Sequence, residues 1–340
     1  MTAKTLIKKT VLNLNTKPVS NLQGETSIYI QTNSNCNQKC IFCNRPPKNS
    51  YNNSFQTSLV KIKKKISILA NDPTCKRIIF TGGEPLLYLH LLEVIHYAKG
   101  CHFIVEIQTN GTLLSLNKLK DLKKAGLDII NFACHSHKKN ISNQLRGVDF
   151  GYESIIQNIK FANKVGFDIH IIHVVNQLNY QDIPGFIDFV HDLHIKKLTL
   201  NLSIVVPDGW AWENQWIIPR LSDIKPYLQK AMRKCVDYNI PFDVSEVVPL
   251  CIMQGFETHT ISTTFKIKNT KITDDYLTGK RDLNFSELDS ARAIKAPQCQ
   301  RCSVNEICAG FYPRMKELYG VKDFKPRKDN PQKLLKKFGQ

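Results

Sequence analysis

A short loop decides the fold of this chain: Asn35-Cys-Asn-Gln-Lys-Cys-Ile-Phe-Cys-Asn44. Cys36, Cys40 and Cys43 stand in it in the order Cys-x3-Cys-x2-Cys. Four-iron clusters are normally held by four cysteines, so three thiolates in one compact loop predict a cubane with one iron open to another ligand. A structural zinc knuckle is the alternative. Zinc sites usually join one Cys-x2-Cys pair to a second pair nearby, and here the next suitable pair, at Cys299, is more than 250 residues away.

Outward from this loop, apolar β-rich runs alternate with segments of helical periodicity. The runs cover residues 27–31, 77–81, 103–108, 128–133, 168–175 and 197–202, and the helical segments cover residues 59–70, 86–98, 114–125, 152–165 and 183–193. Such alternation predicts successive parallel βαβ units. Six units make an α/β fold, a partial (β/α)6 TIM-like barrel that is open on one side. In such barrels the chemistry lies at the C-terminal ends of the strands, and the cysteine loop directly follows the first strand.

The pattern changes after residue 209, where a tryptophan-rich connector begins. We predict an N-terminal extension (1–25), the partial barrel (26–209), a connector with one helix (210–240), a small C-terminal α+β domain (241–322) and a basic tail (323–340).

Composition limits the cellular setting and the partners. Eleven cysteines without a recognisable signal peptide indicate a reducing compartment, so we expect a cytoplasmic protein. The sequence has no run of 18 or more apolar residues, which argues against a membrane span. The net charge of +18 favours anionic partners or substrates, such as nucleic acid, an acidic peptide or a phosphorylated small molecule, without choosing among them. Alternatively, the charge reflects a lysine-rich composition that is unrelated to any ligand.

A second motif, Thr81-Gly-Gly-Glu-Pro85, follows the second predicted strand. Paired glycines let the backbone approach a ligand closely, and the carboxylate can accept hydrogen bonds from an ammonium group. Together the two motifs resemble the radical S-adenosylmethionine (SAM) superfamily. The resemblance implies that the loop cysteines hold a 4Fe-4S cluster and that its free iron chelates SAM. It also implies that Gly82, Gly83 and Glu84 of the second motif contact SAM. Phe42, just before the third cysteine, is a further candidate contact, because the loop of that family has an aromatic residue there.

Further candidates lie after the third and fourth predicted strands. Thr109 and Asn110 follow the third strand, and His135 and Ser136 follow the fourth. These positions are candidates for contacts with the ribose or carboxylate of SAM, although Asn-Gly is first of all a turn pair and a lone histidine is often structural. Cys134, at the end of the fourth strand, is a candidate for returning a hydrogen atom to a substrate radical. A buried structural thiol is the alternative for Cys134.

A second cysteine group lies near the C-terminus. Cys299, Cys302 and Cys308, joined by Cys251, supply enough thiolates for a second, fully ligated cluster. The spacing resembles the auxiliary-cluster modules called SPASM and Twitch. Tyr312 stands where the full SPASM pattern has another cysteine, which favours the shorter Twitch-like form with one auxiliary 4Fe-4S cluster. Structural zinc is the rival, because four-cysteine zinc sites are common.

The resemblance implies an oxidoreductase or maturase in which the reduced cluster cleaves SAM to a 5'-deoxyadenosyl radical that abstracts hydrogen from a substrate. We expect the substrate to be a ribosomally synthesised peptide and the electron donor to be a protein such as flavodoxin or ferredoxin. The alternatives are radical oxidation or rearrangement of a sugar, aminocyclitol or nucleotide, RNA modification, and a basic zinc-stabilised binding module. Cyclisation of GTP belongs to the nucleotide alternative, but the second-cluster spacing and the glycine-rich C-terminal end of that enzyme are not matched.

Overall fold

Parallel strands form one sheet in the computed structural model, which describes residues 26–45, 55–268, 273–274 and 293–339. The order across the sheet is β7-β6-β5-β4-β3-β2-β1-β8, and all neighbours are parallel. The strands are β1 (Thr26–Gln31), β2 (Cys75–Thr81), β3 (Ile104–Thr109), β4 (Ile129–Ala133), β5 (Asp168–Val175), β6 (Leu198–Ile204), β7 (Phe242–Ser245) and β8 (Thr273–Asp274). The predicted N-terminal extension, residues 1–25, lies outside the described residues.

Helices connect the strands and cover one face of the sheet. They are α1 (Leu59–Leu69), α2 (Leu91–Gly100), α3 (Leu116–Ala125), α4 (Lys139–Arg146), α5 (Tyr152–Val165), α6 (Ile183–Asp192), α7 (Gly209–Glu213), α8 (Leu221–Asp237), α9 (Ile261–Lys268), α10 (Pro313–Tyr319) and α11 (Pro331–Lys337). Among the described residues, no helix is both long and apolar enough to cross a membrane.

The predicted partial barrel is confirmed, because the sheet curls into an α/β half-barrel. Two differences stand out. The sheet continues past the six predicted strands, since β7 pairs with β6 and β8 pairs with β1. Helix α4 was not predicted, because its eight residues are mostly polar and carry too short an apolar pattern to show helical periodicity.

The two faces of the sheet differ in polarity. On β5, Ile169 and Ile171 are fully buried in the core against the helices, whereas the alternate residues Asp168 and His170 are partly exposed. Side chains alternate between the two faces along every strand. The concave face, which the helices leave open, is therefore the polar one.

The segment interpreted as an exposed basic tail is a docked helix. Leu334 and Phe338, four residues apart, are 4% and 6% exposed and pack in a second core cluster with Leu250 and Val304. Leu335, Lys336 and Lys337 stand between the two apolar residues, and residues four apart lie on one face of a helix. The prediction of a tail was wrong because it weighed the charge of the segment and not this spacing.

Asn158 on α5 joins that helix to the loop after β3. Its Nδ2 donates to Gly111 O at 2.9 Å and to Leu114 O at 3.0 Å, and the side chain is 4% exposed. We expect Asn158→Ala to lower the free energy of unfolding by about 1–3 kcal/mol, because two buried carbonyl groups lose their donor. Urea denaturation under reducing conditions measures the change. The control is Gln157→Ala on the exposed side of the same helix, and equal losses in the two variants would contradict the assignment.

Candidate active site

The cysteine loop is held against the turn after β2 by backbone contacts. Gly83 N–H donates to Asn33 O at 2.8 Å, and Glu84 N–H donates to Asn35 O at 2.7 Å. A Cβ at Gly83 would lie 1.8 Å from Asn35 O, a distance that no side chain tolerates. Glycine at this position therefore permits the approach that fixes the start of the loop.

The rest of the loop contacts α4 and α7, two elements that sequence reasoning did not connect with it. Lys39 N–H donates to Arg146 O at 3.0 Å, at the end of α4. Ala211 N–H, in the tryptophan-rich connector, donates to Cys43 O at 3.2 Å. The loop is thus supported along its length by main-chain bonds to three separate segments.

The loop cysteines share a half-buried environment. Burial, and after it the neighbouring Cys43 and Cys36 thiolates, raise the pKa of the Cys40 thiol. Burial also raises the pKa values of Cys36 and Cys43. Thiols in such surroundings become thiolates when a cation compensates their charge, which is what cluster iron supplies.

Two buried side chains beside the loop carry surplus hydrogen-bond donors. Gln38 Oε1 accepts from the Cys40 thiol at 3.6 Å, while Gln38 Nε2 has no partner among the described residues. Arg146, 1% exposed, donates from Nη2 to Ala133 O at 2.6 Å, while its Nε and Nη1 have no partner in the same part of the chain. Its charge opposes the effect of burial on the pKa of Cys40. Because buried donors are nearly always satisfied, these residues fit an iron-sulfur cluster together with an anionic ligand.

Sequence reasoning missed both Gln38 and Arg146. Arg146 stands before Gly147, which ends α4 in the left-handed conformation with φ 62°. A basic residue before a glycine is a typical helix C-terminus, so the end of the helix was detectable. The burial of the guanidinium was not, because it depends on the packing of α4 against the cysteine loop.

Glu84 is engaged inside the protein, where the sequence predicted a contact with SAM. Its carboxylate, 1% exposed, accepts from Thr109 Oγ1 at 2.6 Å, from Asn110 N–H at 2.8 Å and from Leu86 N–H at 3.1 Å. Burial raises the pKa of this carboxyl, and the three hydrogen bonds oppose that effect. The carboxylate thereby joins the turn after β2 to the end of β3, and Thr109 is used in the same junction.

The other predicted SAM contacts lie around the cysteine loop. Asn110 Nδ2 donates to Asn37 Oδ1 at 2.7 Å and lies 4.0 Å from Cys36 Sγ. The Phe42 ring meets His135 edge-on, with ring centroids 4.7 Å apart. Their positions beside the loop are compatible with the predicted roles, which remain predictions.

His135 and Ser136 also have structural roles. His135 Nδ1 accepts from Val174 N–H at 3.1 Å, and burial holds its pKa well below the ordinary value, so the ring is neutral. Ser136 Oγ accepts from Lys138 N–H at 3.0 Å in the turn that leads into α4.

Cys134 does not face the concave side of the sheet. It follows Ala133, the last residue of β4, and its side chain is 3% exposed within the core cluster. Burial raises the pKa of its thiol to about 11. Because successive residues of a strand point to opposite faces, this position gives no support to the predicted transfer of a hydrogen atom to a substrate. The structural alternative fits it better.

Four C-terminal cysteines come close together in space, namely Cys251, Cys299, Cys302 and Cys308. Burial, followed by the Cys308 and Cys299 thiolates, raises the pKa of Cys251 to about 11. Leu250 N–H donates to Cys308 Sγ at 3.4 Å, and Arg327 N–H donates to Cys302 Sγ at 3.3 Å. The four sulfurs, two of them with backbone donors, therefore suit the ligands of an iron-sulfur cluster.

Neither cysteine group has the geometry of a single-metal site. Within the described ranges, no three His, Cys, Asp or Glu side chains surround a point at which one metal ion could bind. A cubane makes a different demand, since each thiolate binds a separate iron. Tyr312, in the place of the fifth SPASM cysteine, donates from its hydroxyl to Glu246 Oε2 at 2.6 Å.

A row of polar side chains crosses the concave face from β1 to β6. Gln31 on β1 is paired in register with Thr81 on β2. Across β3, β4, β5 and β6 the register aligns Gln108, Asn131, His170 and Thr199. Asn131 Oδ1 is buried and has no partner among the described residues. The row therefore offers amide and hydroxyl groups to a ligand inside the half-barrel.

Positive charge is scarce on the same face. Arg77 is the one lysine or arginine on the concave side of β1–β7, and its Nη1 lies 3.3 Å from Glu106 Oε2. Glu106 also accepts from Asn131 Nδ2 at 3.2 Å and has His170 Nδ1 3.8 Å away. Burial raises the pKa of Glu106, but His170 and Arg77 outweigh it and hold the pKa below its usual value, so the carboxylate is ionised. The opposite charges of Arg77 and Glu106 therefore neutralise each other.

Part of this chain matches a known protein family. Residues 30–190 match the family model described as the radical SAM superfamily. A Thermococcus kodakarensis protein named probable GTP 3',8-cyclase is 30% identical over 179 residues, which cover 51% of this chain and 53% of that protein. A Sulfurisphaera tokodaii protein of the same name is 29% identical over 167 residues, covering 48% and 52%. The chain spans about half the length of these curated relatives.

Solved structures share the fold over a longer part of the chain. Streptococcus suis SuiB bound to S-adenosylmethionine gives a TM-score of 0.63 at 15% identity, over 90% of this chain and 76% of that chain. Native anSMEcpe with bound AdoMet gives 0.60 at 16% identity, over 92% and 96%. At these identities the likeness concerns the fold, and it extends beyond residues 30–190.

The position of Glu84 generates a stability prediction. Glu84→Gln puts an amide NH₂ where the carboxylate accepts hydrogen bonds, so at least one buried donor loses its acceptor, at a cost of about 1–3 kcal/mol. Urea denaturation of the anaerobic protein measures this loss. The same change at exposed Glu93, which pairs with Lys63 on the surface, should cost less than about 1 kcal/mol. Unchanged stability of Glu84→Gln with lost SAM binding would show that the carboxylate contacts SAM instead.

Proposed function

We propose that this chain is an enzyme of the radical SAM superfamily, whose family model matches residues 30–190, that Cys36, Cys40 and Cys43 hold its 4Fe-4S cluster and that SAM binds beside them. The cluster and SAM, when bound, supply a 5'-deoxyadenosyl radical for hydrogen abstraction. The chain's own residues bind and orient these groups and the substrate. The unpartnered donors of Gln38 and Arg146 next to three thiols are the observation that carries this assignment.

Arg146 is our candidate for the SAM carboxylate. Its guanidinium is buried, it acts on the pKa of Cys40, and two of its nitrogens have no partner among the described residues. A carboxylate satisfies such a guanidinium with charge-assisted hydrogen bonds. Asn110 Nδ2, 4.0 Å from Cys36 Sγ, is placed to donate to sulfur. The Gly82-Gly83 backbone is our candidate for the SAM amino group, because the Glu84 carboxylate is engaged elsewhere.

We expect Arg146→Gln to weaken SAM binding about 10–100-fold, because a hydrogen bond to a charged group contributes about 1.5–3 kcal/mol. Equilibrium dialysis of the reconstituted protein measures this change, and iron and sulfide analysis shows whether the cluster is retained. Arg146→Lys should recover part of the affinity. Decarboxylated SAM provides the sharper control, since it should bind wild type and Arg146→Gln equally. If the variant loses affinity for both compounds alike, the guanidinium does not recognise the carboxylate.

For the substrate we propose a ribosomally synthesised peptide. The row from Gln31 to Thr199 offers amide and hydroxyl groups that suit the N–H and C=O groups of a peptide. Two fold neighbours support this choice by their ligands: SuiB has been solved bound to precursor peptide SuiA, and anSMEcpe with a bound peptide. An extended peptide makes many neutral hydrogen bonds, which such a row can match without leaving buried charge unpaired.

A nucleotide is the second candidate, favoured by the names of the curated relatives. Recognition of a triphosphate calls for several cations. The concave side of β1–β7 carries one, Arg77, already paired with Glu106. Calorimetric titration of the reconstituted protein with GTP separates the candidates: we expect no binding below about 1 mM, and micromolar affinity would favour the nucleotide.

We propose that Cys251, Cys299, Cys302 and Cys308 hold an auxiliary 4Fe-4S cluster. Their mutual effects on pKa and the backbone donors to Cys302 and Cys308 support it. On this proposal the C-terminal segment folds around the cluster, and α11 covers one side of it through the contact of Leu334 and Phe338 with the second core cluster.

We expect Cys308→Ala to lower the iron content of the reconstituted protein from about eight to about four atoms per chain, because a cubane short of one thiolate is lost more readily. Cys101→Ser is the matched control, since Cys101 belongs to neither cysteine group, and it should leave about eight. Metal analysis with Mössbauer spectroscopy gives both counts. One zinc atom per chain, abolished by Cys308→Ala, would identify a structural zinc site instead.

The reaction is tested by 5'-deoxyadenosine formation. Anaerobically reconstituted protein with SAM and dithionite should form it, and a variant with Cys36, Cys40 and Cys43 all changed to Ala should not. The peptide proposal is tested by mass spectrometry with the products of short reading frames beside the gene. A mass change in one of them supports the proposal; stimulation of 5'-deoxyadenosine formation by GTP and by none of the peptides would overturn it.

A further inference from the structure

A cavity of about 400 Å³ opens over Cys251, the half-buried member of the C-terminal cysteine group. Its wall is formed mainly by residues 325–329, with contributions from α8 and from Gln254. The Lys325 backbone lies beside Cys251 and lowers the pKa of its thiol, and Arg327 N–H donates to Cys302 Sγ at 3.3 Å. The segment thus passes beside two of the four sulfurs, with the side chains of Lys325 and Lys328 exposed.

The rim of this cavity is cationic. Lys325 and Lys328 are exposed on the segment, and Lys225 contributes from α8. The acidic residue of the rim, Asp329, is occupied by Arg327, whose Nε lies 2.5 Å from its Oδ2. Residues 321–339 carry seven basic and two acidic side chains. The segment that lines the cavity therefore carries a net positive charge.

Arg327 holds the segment in this place. Its Nη1 donates to Leu250 O at 2.8 Å, and its Nη2 lies 2.7 Å from Glu257 Oε1, a carboxylate that is 2% exposed. A buried ion pair of this geometry fixes the backbone on either side of it. The lysines of the rim are thus displayed from an anchored stretch of chain, which lowers the entropy cost of docking a partner.

We propose that this cationic rim, formed by Lys225, Lys325 and Lys328, is the docking surface for an acidic one-electron carrier protein. The proposal rests on the auxiliary cluster proposed above. In the docked complex the carrier is oxidised by one electron and the cluster at Cys251 is reduced by one, with no chemical group transferred. Redox complexes of this kind use small interfaces that are steered by charge. The compact rim over the half-buried Cys251 suits such an interface.

The alternatives for the rim are an acidic substrate segment and a general attraction of anions by a chain of net charge +18. Charge complementarity alone does not separate them from a redox partner. The position does: the rim lies over a cluster cysteine, on the outer surface, where an electron has the shortest path to a proposed metal centre. A substrate held here would face Cys251 and the rim lysines, away from the row of polar side chains on the concave face.

The test uses the reconstituted full chain and a purified flavodoxin, an acidic protein with one flavin. Binding is measured by biolayer interferometry at several salt concentrations for wild type and for Lys325→Glu/Lys328→Glu. The control is Lys160→Glu/Lys164→Glu, the same change in charge at exposed positions of α5. We expect the rim variant to weaken binding at least about tenfold and the control less than about threefold, because steering depends on local charge.

Further readouts separate this proposal from the function on which it rests. Iron and sulfide contents should be unchanged in both variants, and dithionite, which needs no docking, should support equal 5'-deoxyadenosine formation. Carbodiimide cross-linking of wild type to flavodoxin should join its carboxylates to Lys325 or Lys328. Equal weakening by both variants, or cross-links confined to other lysines, would overturn the proposal. If wild type forms no 5'-deoxyadenosine, that result contradicts the proposed radical chemistry. The binding measurement still tests the docking surface in that case.

Discussion

The close approach of the Gly82-Gly83 backbone to the first residues of the cysteine loop is the constraint on which the site depends. Gly83 and Glu84 donate their N–H groups to Asn33 O and Asn35 O, and Asn33 Nδ2 donates back to Glu84 O at 3.0 Å. The Glu84 carboxylate then extends the junction to the end of β3. The ends of β1, β2 and β3 are thereby joined by hydrogen bonds within the protein, and these bonds fix the position of the start of the cysteine loop.

The open half-barrel explains why the concave face is polar. In a doubly covered parallel sheet both faces are apolar, but here helices cover one face and the other is left to solvent or ligand. Asn131 and His170 tolerate water and can exchange it for the hydrogen bonds of a substrate at small net cost. The Arg77–Glu106 pair completes this lining without adding net charge. On the proposed function, selection of the substrate inside the barrel would therefore rest on hydrogen-bond pattern and shape.

Local sequence signals predicted the barrel well. Strands and helices of the barrel follow from periodicity, and Gly126 and Gly166 end α3 and α5 in the left-handed conformation that glycine favours. The failures involve tertiary contacts. The engagement of Glu84 by β3 and the burial of Arg146 depend on segments more than 10 residues away, and no spacing in the chain reports them. The docked helix α11 was detectable through Leu334 and Phe338, but charge hid it.

The net charge of +18 bears on the partners of this chain more than on its substrate. Electrostatic attraction decays over about 8 Å at physiological salt, so each surface responds to its own charges. On the concave side of β1–β7 the one arginine is neutralised by Glu106, whereas exposed lysines gather over Cys251. A high overall charge therefore does not imply an anionic substrate. It fits a molecule whose outer surface attracts an acidic protein while its interior recognises neutral polar groups.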